Sequence, residues 1–302
     1  MTSGPVRLYY CDHYDFPLPE GHKFPLAKYR MVRERLGRDG RFELQEAPLA
    51  TEQDLARVHT REYVESFVEG RLDAGTLRQI GFPWSLELVK RTLASTGGTL
   101  AATQEAVRTG QWCGSVAGGT HHAFRAAGAG FCVFNDLAVA TEWARQCAGI
   151  ERVAIIDLDV HQGDGTARIF EADESVFTVS LHGAHNFPLR KAHSRLDIAF
   201  ADGAGAREYL PALEKALEAV WGFEPQLVLF QSGVDVLAGD RLGRLSLTLQ
   251  DLAARDRLVL GGAYKRKIPV VITMGGGYSD PIELTVAAHA QTYIIAAGIF
   301  RR

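Results

Sequence analysis

Six short, nearly continuous apolar runs constrain this chain more than any other feature. They cover residues 6–10, 115–117, 152–158, 176–181, 227–231 and 268–274. A strand with one wet face would alternate apolar with polar residues. Unbroken β-branched runs suit strands covered on both sides. Helical stretches lie between most of them. Residues 86–107 carry Leu86, Val89, Leu93 and Leu100, and further helices are expected over 135–147, 206–221 and 281–297. Another begins at Thr248, where Asp251 three residues on completes an N-terminal capping pattern. Strand alternating with helix predicts an α/β fold with a mainly parallel open sheet flanked by helices. No repeat, low-complexity tract or linker divides residues 1–302, so one domain is expected.

Ligands of such sheets bind beyond the carboxyl ends of the strands, and the polar clusters of this chain sit there. Run 115–117 leads into Gly118-Gly119-Thr120-His121-His122, and run 152–158 into Asp159-Val160-His161-Gln162-Gly163-Asp164-Gly165. Run 227–231 leads into Ser232-Gly233-Val234-Asp235, and run 268–274 into Gly275-Gly276-Gly277-Tyr278. Four strand ends therefore bring metal-ligand and acid–base residue types to one edge.

The pattern Asp157-Leu158-Asp159-Val160-His161 would send two carboxylates and an imidazole to one face of an extended backbone. A catalytic zinc usually has three protein ligands and an open position. Asp159 and His161 supply two, and Asp235 is the best third. A lone D-x-D-x-H run is as compatible with capping; the glycine turn and the other strand ends favour the metal. The adjacent His121 and His122 fit a base dyad if carboxylates fix their far nitrogens, and Asp157 and Asp164 are the spare carboxylates nearby. The three glycines let the backbone pass close to a ligand, but GGGY lacks the dinucleotide-binding pattern. Tyr278 either packs or donates its hydroxyl to an oxyanion.

The formal charge of −3 offers no electrostatic footprint for nucleic acid. A cationic substrate would therefore need a local acidic rim. The four cysteines, Cys11, Cys113, Cys132 and Cys147, form no C-x-x-C pair and are expected to be reduced thiols. With no secretory leader evident, a cytoplasmic location is expected. No run of membrane-spanning length is expected either.

Together the runs GGTHHAF, GFCVFND, DLDVHQGDG, VSLH, SGVD and MGGGYS, in that order between residues 118 and 279, strongly resemble the arginase/deacetylase superfamily. Within it they are most similar to the histone deacetylases. LPEGHKFPLAKY and IGFPWSLELVKR resemble the class IV branch. The resemblance implies a zinc-dependent amidohydrolase acting on an acylated lysine side chain or another acylated amine. Asp159, His161 and Asp235 match the zinc ligands, which iron(II) would also suit. His122 matches the general base and proton donor, His121 its electrostatic support, and Asp157 and Asp164 the carboxylates that orient His121 and His122. Tyr278 matches the oxyanion donor. Phe131 and Phe187 match the aromatic walls of the acyl-lysine tunnel, with Gly130 at its base, and Gly276 is placed with the substrate-binding residues. His22 is expected to line the entrance.

The resemblance also implies structural potassium. The carbonyls of Asp157, Asp159, His161 and Leu181 with the hydroxyl of Ser180 match one site, and Phe170, Asp173 and Val176 a second. Gln162 stands where many relatives carry a second histidine, which leaves the ligand set intact but makes class and substrate preference less certain. Three rivals remain open: an acetylpolyamine or other small-amide amidohydrolase or a long-chain deacylase, which the class IV resemblance favours; a non-catalytic acyl-lysine-binding module; and an arginase-type ureohydrolase, which the ligand count disfavours. His59, His182, His185, His193 and His289 are expected in hydrogen-bonded structural or surface roles.

Overall fold

The computed structural model describes residues 4–300. Among the described residues the six apolar runs, joined by two further segments, form a sheet of eight strands. In chain order these are β1 (Val6–Tyr10), β2 (Phe42–Glu46), β3 (Trp112–Ser115), β4 (Val153–Asp157), β5 (Val176–Gly183), β6 (Leu196–Phe200), β7 (Leu227–Gln231) and β8 (Val270–Thr273). They lie side by side as β2-β1-β3-β8-β7-β4-β5-β6, and every pairing is parallel. Strands β3, β4, β5, β7 and β8 are buried along their whole length, as their unbroken apolarity demands.

The third strand lies a few residues earlier than the run 115–117 suggested. The Trp112–Ser115 segment pairs with β1 and β8, and Val116 and Ala117 already belong to the turn into the site. Strands β2 and β6 carry no continuous apolar run and were not anticipated. As edge strands they bury only part of their side chains.

Among the described residues ten helices lie between and after the strands. They are α1 (Ala27–Gly37), α2 (Glu52–Leu55), α3 (Arg61–Val68), α4 (Ala74–Ile80), α5 (Leu86–Thr109), α6 (Asp136–Ala148), α7 (Asp164–Phe170), α8 (Ala206–Gly222), α9 (Leu249–Lys265) and α10 (Ile282–Phe300). Their ends have local causes. Ser85 accepts from the Leu88 amide to start α5, and Asn135 accepts from Ala138 to start α6. Thr248 and Asp251 close a reciprocal capping box on α9. Gly110 and Gly149 take left-handed conformations to end α5 and α6.

Helices α5 and α6 pack together, while α1, α10, α9 and α8 pack in succession. These two sets form the helical layers over the sheet. Contrary to expectation, one helix, α10, is long and apolar enough to cross a membrane by length and composition. Half of that stretch is buried in the fold, where it packs against α1, α9 and β3. Its apolarity is that of a core helix packed between two helices and a strand.

Candidate active site

Strands β3, β8, β7 and β4 are consecutive in the sheet. Their carboxyl ends therefore form one contiguous edge, and every cluster named from sequence lies on it.

At the end of β4 the strand stops at Asp157. The convergence of Asp159 and His161 comes from turns beyond the strand, not from its pleat. The Asp159 amide donates to Asp157 Oδ1 at 3.1 Å, and the His161 amide donates to Asp159 Oδ1 at 3.0 Å. Each carboxylate thus folds the backbone two residues ahead of it. Asp157 faces His121, while Asp159 and His161 meet Asp235 from the end of β7.

His161 Nδ1 lies 2.9 Å from Asp159 Oδ1 and 3.0 Å from Asp235 Oδ2. The three side chains are buried, and their ligand atoms fall within 4.8 Å of one another. Other oxygens of the two carboxylates are held by backbone. Gly276 N donates to Asp159 Oδ2 at 2.7 Å, and Val160 N donates to Asp235 Oδ1 at 2.9 Å. A Cβ on Gly276 would collide with Asp235 Oδ2, so only glycine lets this loop close over the cluster.

Burial first, and the Asp159 charge second, push Asp235 up to about 7. Burial opposes the charged form of His161, but both carboxylates outweigh it and lift the ring to about 10. Two buried carboxylates that share one proton-rich neighbour are what a divalent cation satisfies. Oxygen and imidazole donors suit zinc or iron(II). Among the described residues the cluster has three such ligands, which fits one ion better than two.

His121 and His122 follow β3. His121 Nδ1 lies 2.7 Å from Asp157 Oδ2, and His122 Nδ1 lies 2.7 Å from Asp164 Oδ1. Both pairings anticipated from sequence are therefore present, and both Nδ1 atoms are committed to carboxylates. The rings stand 4.1 Å apart, yet their charge states differ. Burial opposes ionisation of His121, but Asp157 and Asp159 prevail and raise it to about 9. Burial and the adjacent His121 charge lower His122 to about 4, against the pull of Asp164. One ring is cationic and the other is a neutral base.

Tyr278 ends the glycine loop after β8. Burial, then the charges of Asp235 and Asp159, hold its hydroxyl well above its ordinary value, so it keeps its proton. His121, His122, Asp159, His161, Gly276 and Tyr278 all line one cavity of about 410 Å³, together with Gly130, Phe131 and Phe187. Phe187 is 43% exposed and sets its ring edge-on to His122 at 4.8 Å. Phe131 holds a positive φ of 65° and packs against Phe24 and Phe82. A Cβ on Gly130 would stand 2.6 Å from His122 Cδ2. His22 sits just behind this wall, bonded to the Gly81 carbonyl at 2.9 Å and packed on Phe82 and Phe131.

Ser180 and Leu181 are buried in β5, and the Ser180 hydroxyl lies 3.0 Å from His182 Nδ1. His59 accepts from the Asn135 amide at 2.9 Å. His289 departs from expectation. It is fully buried with neither ring nitrogen bonded, and burial keeps it neutral, well below its ordinary value.

Sequence reasoning missed several residues that hold the site. Lys28, on α1, donates to the carbonyls of Gly275 and Gly277 at 3.0 and 3.4 Å. Asp240 accepts from the Tyr278 amide at 2.6 Å. Arg255, wholly buried on α9, donates to the carbonyls of Gly233 and Leu158 at 2.6 and 3.3 Å. The readable signal was a basic residue on an otherwise apolar helix face, where an unpaired charge would be untenable.

Comparison with known proteins gives the family. The histone deacetylase domain model matches residues 22–294. An uncharacterized protein of Picosynechococcus sp. is 41% identical, with 96% of this chain and 98% of that one covered. A histone deacetylase-like amidohydrolase of Pseudomonas aeruginosa is 32% identical over 87% of this chain and 74% of its own length. The crystal structure of an HDAC homolog complexed with SAHA superposes with a TM-score of 0.84 at 26% identity, covering 98% of this chain and 84% of the other. With its all-parallel sheet and its site at the strand ends, the chain belongs to the histone deacetylase family and is a hydrolase of the deacetylase type.

Proposed function

We propose that this chain is a zinc-dependent deacylase that hydrolyses the amide of N-acyl-lysine. The observation that carries the proposal is the meeting, in one cavity, of a neutral His122, a protonated Tyr278, and Asp159 and His161 of the buried cluster that Asp235 completes. A zinc ion held by that cluster would supply Lewis acidity to the acyl carbonyl and acidify the attacking water. The remaining steps belong to the chain. His122, neutral and oriented by Asp164, takes the proton as water attacks. His121, held cationic by Asp157, stabilises the negative charge that develops. Tyr278 donates its hydroxyl to the oxyanion. His122 then returns the proton to the departing amine. Phe131 and Phe187 flank the lysine methylenes.

Potassium at Ser180 and Leu181, and the class IV placement, rest on the likeness of the sequence runs. Polyamine substrates are less well served. The exposed lining residues include Lys23 and Arg244, and among the described residues Asp159 is the only carboxylate in the lining. A cationic chain would meet like charge at the mouth. A purely binding module would have no use for two carboxylate-oriented histidines and an oxyanion donor.

The test is release of acid from acetyl-lysine and myristoyl-lysine peptides by zinc-loaded protein, with and without a zinc-chelating hydroxamate. Hydroxamate-sensitive turnover is expected. Asp235→Ala should lose both turnover and bound zinc by metal analysis. Full zinc occupancy in that variant would remove Asp235 from the ligand set, and zinc-bound protein that cleaves neither peptide would overturn the deacylase reading.

A further inference from the structure

Gln162 follows the ligand residue His161, yet the chemistry described above makes no use of it. Its side chain is wholly buried and engaged at both ends of the amide. Nε2 donates to the Ala192 carbonyl at 2.9 Å and to Asp197 Oδ1 at 2.8 Å, and Oε1 accepts from the Ala192 amide at 2.8 Å. A primary amide carries a donor and an acceptor side by side, so it can pair both backbone groups of one residue. The other oxygen of Asp197 accepts from the Ser194 amide at 2.7 Å, which extends the same junction.

What Gln162 holds is the segment 184–195, which joins β5 to β6 without helix or strand and carries Phe187. The root of the segment is fixed. The Gly183 amide donates to the Val160 carbonyl at 2.9 Å, and Asn186 Nδ2 donates to the Leu242 carbonyl at 2.7 Å. Beyond the root little else holds it. Leu189 is 89% exposed, and Lys191 bonds only carbonyls of the segment itself, those of Asn186 and Pro188. Among the described residues, Gln162 makes the only hydrogen bonds that reach the main chain of residues 187–193 from outside the segment. A surface segment with few buried contacts opens at low free energy, so these bonds are a large share of what fixes it. Root and return are both tied to the Val160–Gln162 turn that presents His161. Phe187 is thereby set at a fixed place in the cavity wall, edge-on to His122 and close against Gly130.

We propose that Gln162 is a positioning residue for substrate, which latches the segment 184–195 to the ligand turn and so holds Phe187 against the lysine methylenes. The latch stands on geometry alone; its effect on turnover rests on the deacylase reading. The reacting groups are held by other bonds. Asp159 and Asp235 are oriented by main-chain amides, His122 by Asp164, and the Tyr278 backbone by Asp240. Loss of the latch should therefore weaken binding of the lysine stem and leave the chemical step nearly intact, which raises KM without lowering kcat. An imidazole in place of the amide has its two nitrogens on different sides of a ring and cannot pair both backbone groups of Ala192. The residue at this position thus sets how firmly the wall grips a long, slender substrate.

The experiment compares wild type with Gln162→Met, Gln162→His, Phe187→Ala and the Gln162→Met, Phe187→Ala double variant. Amide hydrogen exchange is followed over the whole chain, and kcat and KM are measured on an acetyl-lysine peptide with zinc-loaded protein. In wild type the Ala192 amide should exchange far more slowly than those of Leu189 and Arg190. Gln162→Met should speed exchange over residues 187–192 by at least about tenfold, the scale of one lost hydrogen bond, with β4 and β7 still protected. KM should rise by about the same factor while kcat stays within about threefold, and Gln162→His should fall between. Because the effect passes through Phe187, Gln162→Met should change KM little further in the Phe187→Ala background. Unchanged exchange over the segment, a fall in kcat without a rise in KM, or an undiminished effect in that background would each overturn the proposal. If Gln162→Met does not fold, Gln162→His and the wild-type exchange decide, and an Ala192 amide as fast as that of Leu189 removes the latch. Folded, zinc-bound protein that cleaves no peptide would count against the deacylase reading alone, because the exchange profiles still decide the latch.

Discussion

The centre of the sheet and its edges obey different rules. Strands β4, β7 and β8 are buried from end to end, yet the segments just beyond them hold Asp159, His161, Asp235 and Tyr278, polar groups with almost no access to water. Strands β2 and β6 are half exposed and lead to no comparable cluster. The difference teaches where a parallel sheet can carry chemistry. Only strands covered on both faces have ends deep enough to desolvate a charge and close enough to bring four loops together.

Substitutions can break or sharpen this contrast. The largest effect is expected at the strand ends. His122→Ala should lower kcat by about 10²–10⁴ and Tyr278→Phe by about 10²–10³, both with the far-ultraviolet circular dichroism of the wild type. A near-normal turnover in either variant would remove that residue from the mechanism. Within the strands the effect moves from rate to stability. Ile156→Ala, in the centre of β4 with no exposed surface, should cost about 2–5 kcal/mol in denaturant unfolding. Leu44→Ala, half-buried in edge strand β2, should cost well under half as much, and equal costs would erase the distinction.

The smallest effect is on pH. His122 and His59 both bind a proton only near pH 4, chiefly because burial disfavours the charged ring, against an ordinary value of 6.5. The unfolded chain takes up those protons at about pH 6.5 and the native one resists until about 4. The contribution of these two rings is therefore full above 6.5 and falls as pH drops through that window. His59→Gln, which keeps an acceptor for the Asn135 amide, should flatten the fall. An unchanged slope would mean that His59 titrates alike in both states.

The same contrast explains what the sequence could disclose. The buried strands announced themselves by unbroken apolarity, and β7 was bounded to the residue. The edge strand Phe42–Glu46 reads FELQE, with only Phe42 buried; its pairing with β1 is a tertiary event without a local signature. All three cluster residues and both histidines were legible because each lies just beyond an apolar run, and the resemblance of the runs supplied the pairing of each histidine with its aspartate. Lys28, Asp240 and Arg255 were not, because each acts on a partner distant in sequence. Asp157 shows the limit of periodicity. Alternation grouped it with Asp159, but the strand ends at Asp157 and the backbone turns, so its carboxylate serves His121 instead.

The bonds from Gly276, Val160 and the His161 amide to the cluster carboxylates have a consequence for assembly. Each donor is main chain, fixed by the sheet and its turns rather than by an ion. Zinc fingers collapse around their metal, so that binding energy and folding energy are one quantity. In the proposed zinc site the carboxylates are oriented by main-chain donors of the folded chain. Metal loading is then expected to follow folding as a separate event, with the ion's free energy expressed as affinity instead of architecture.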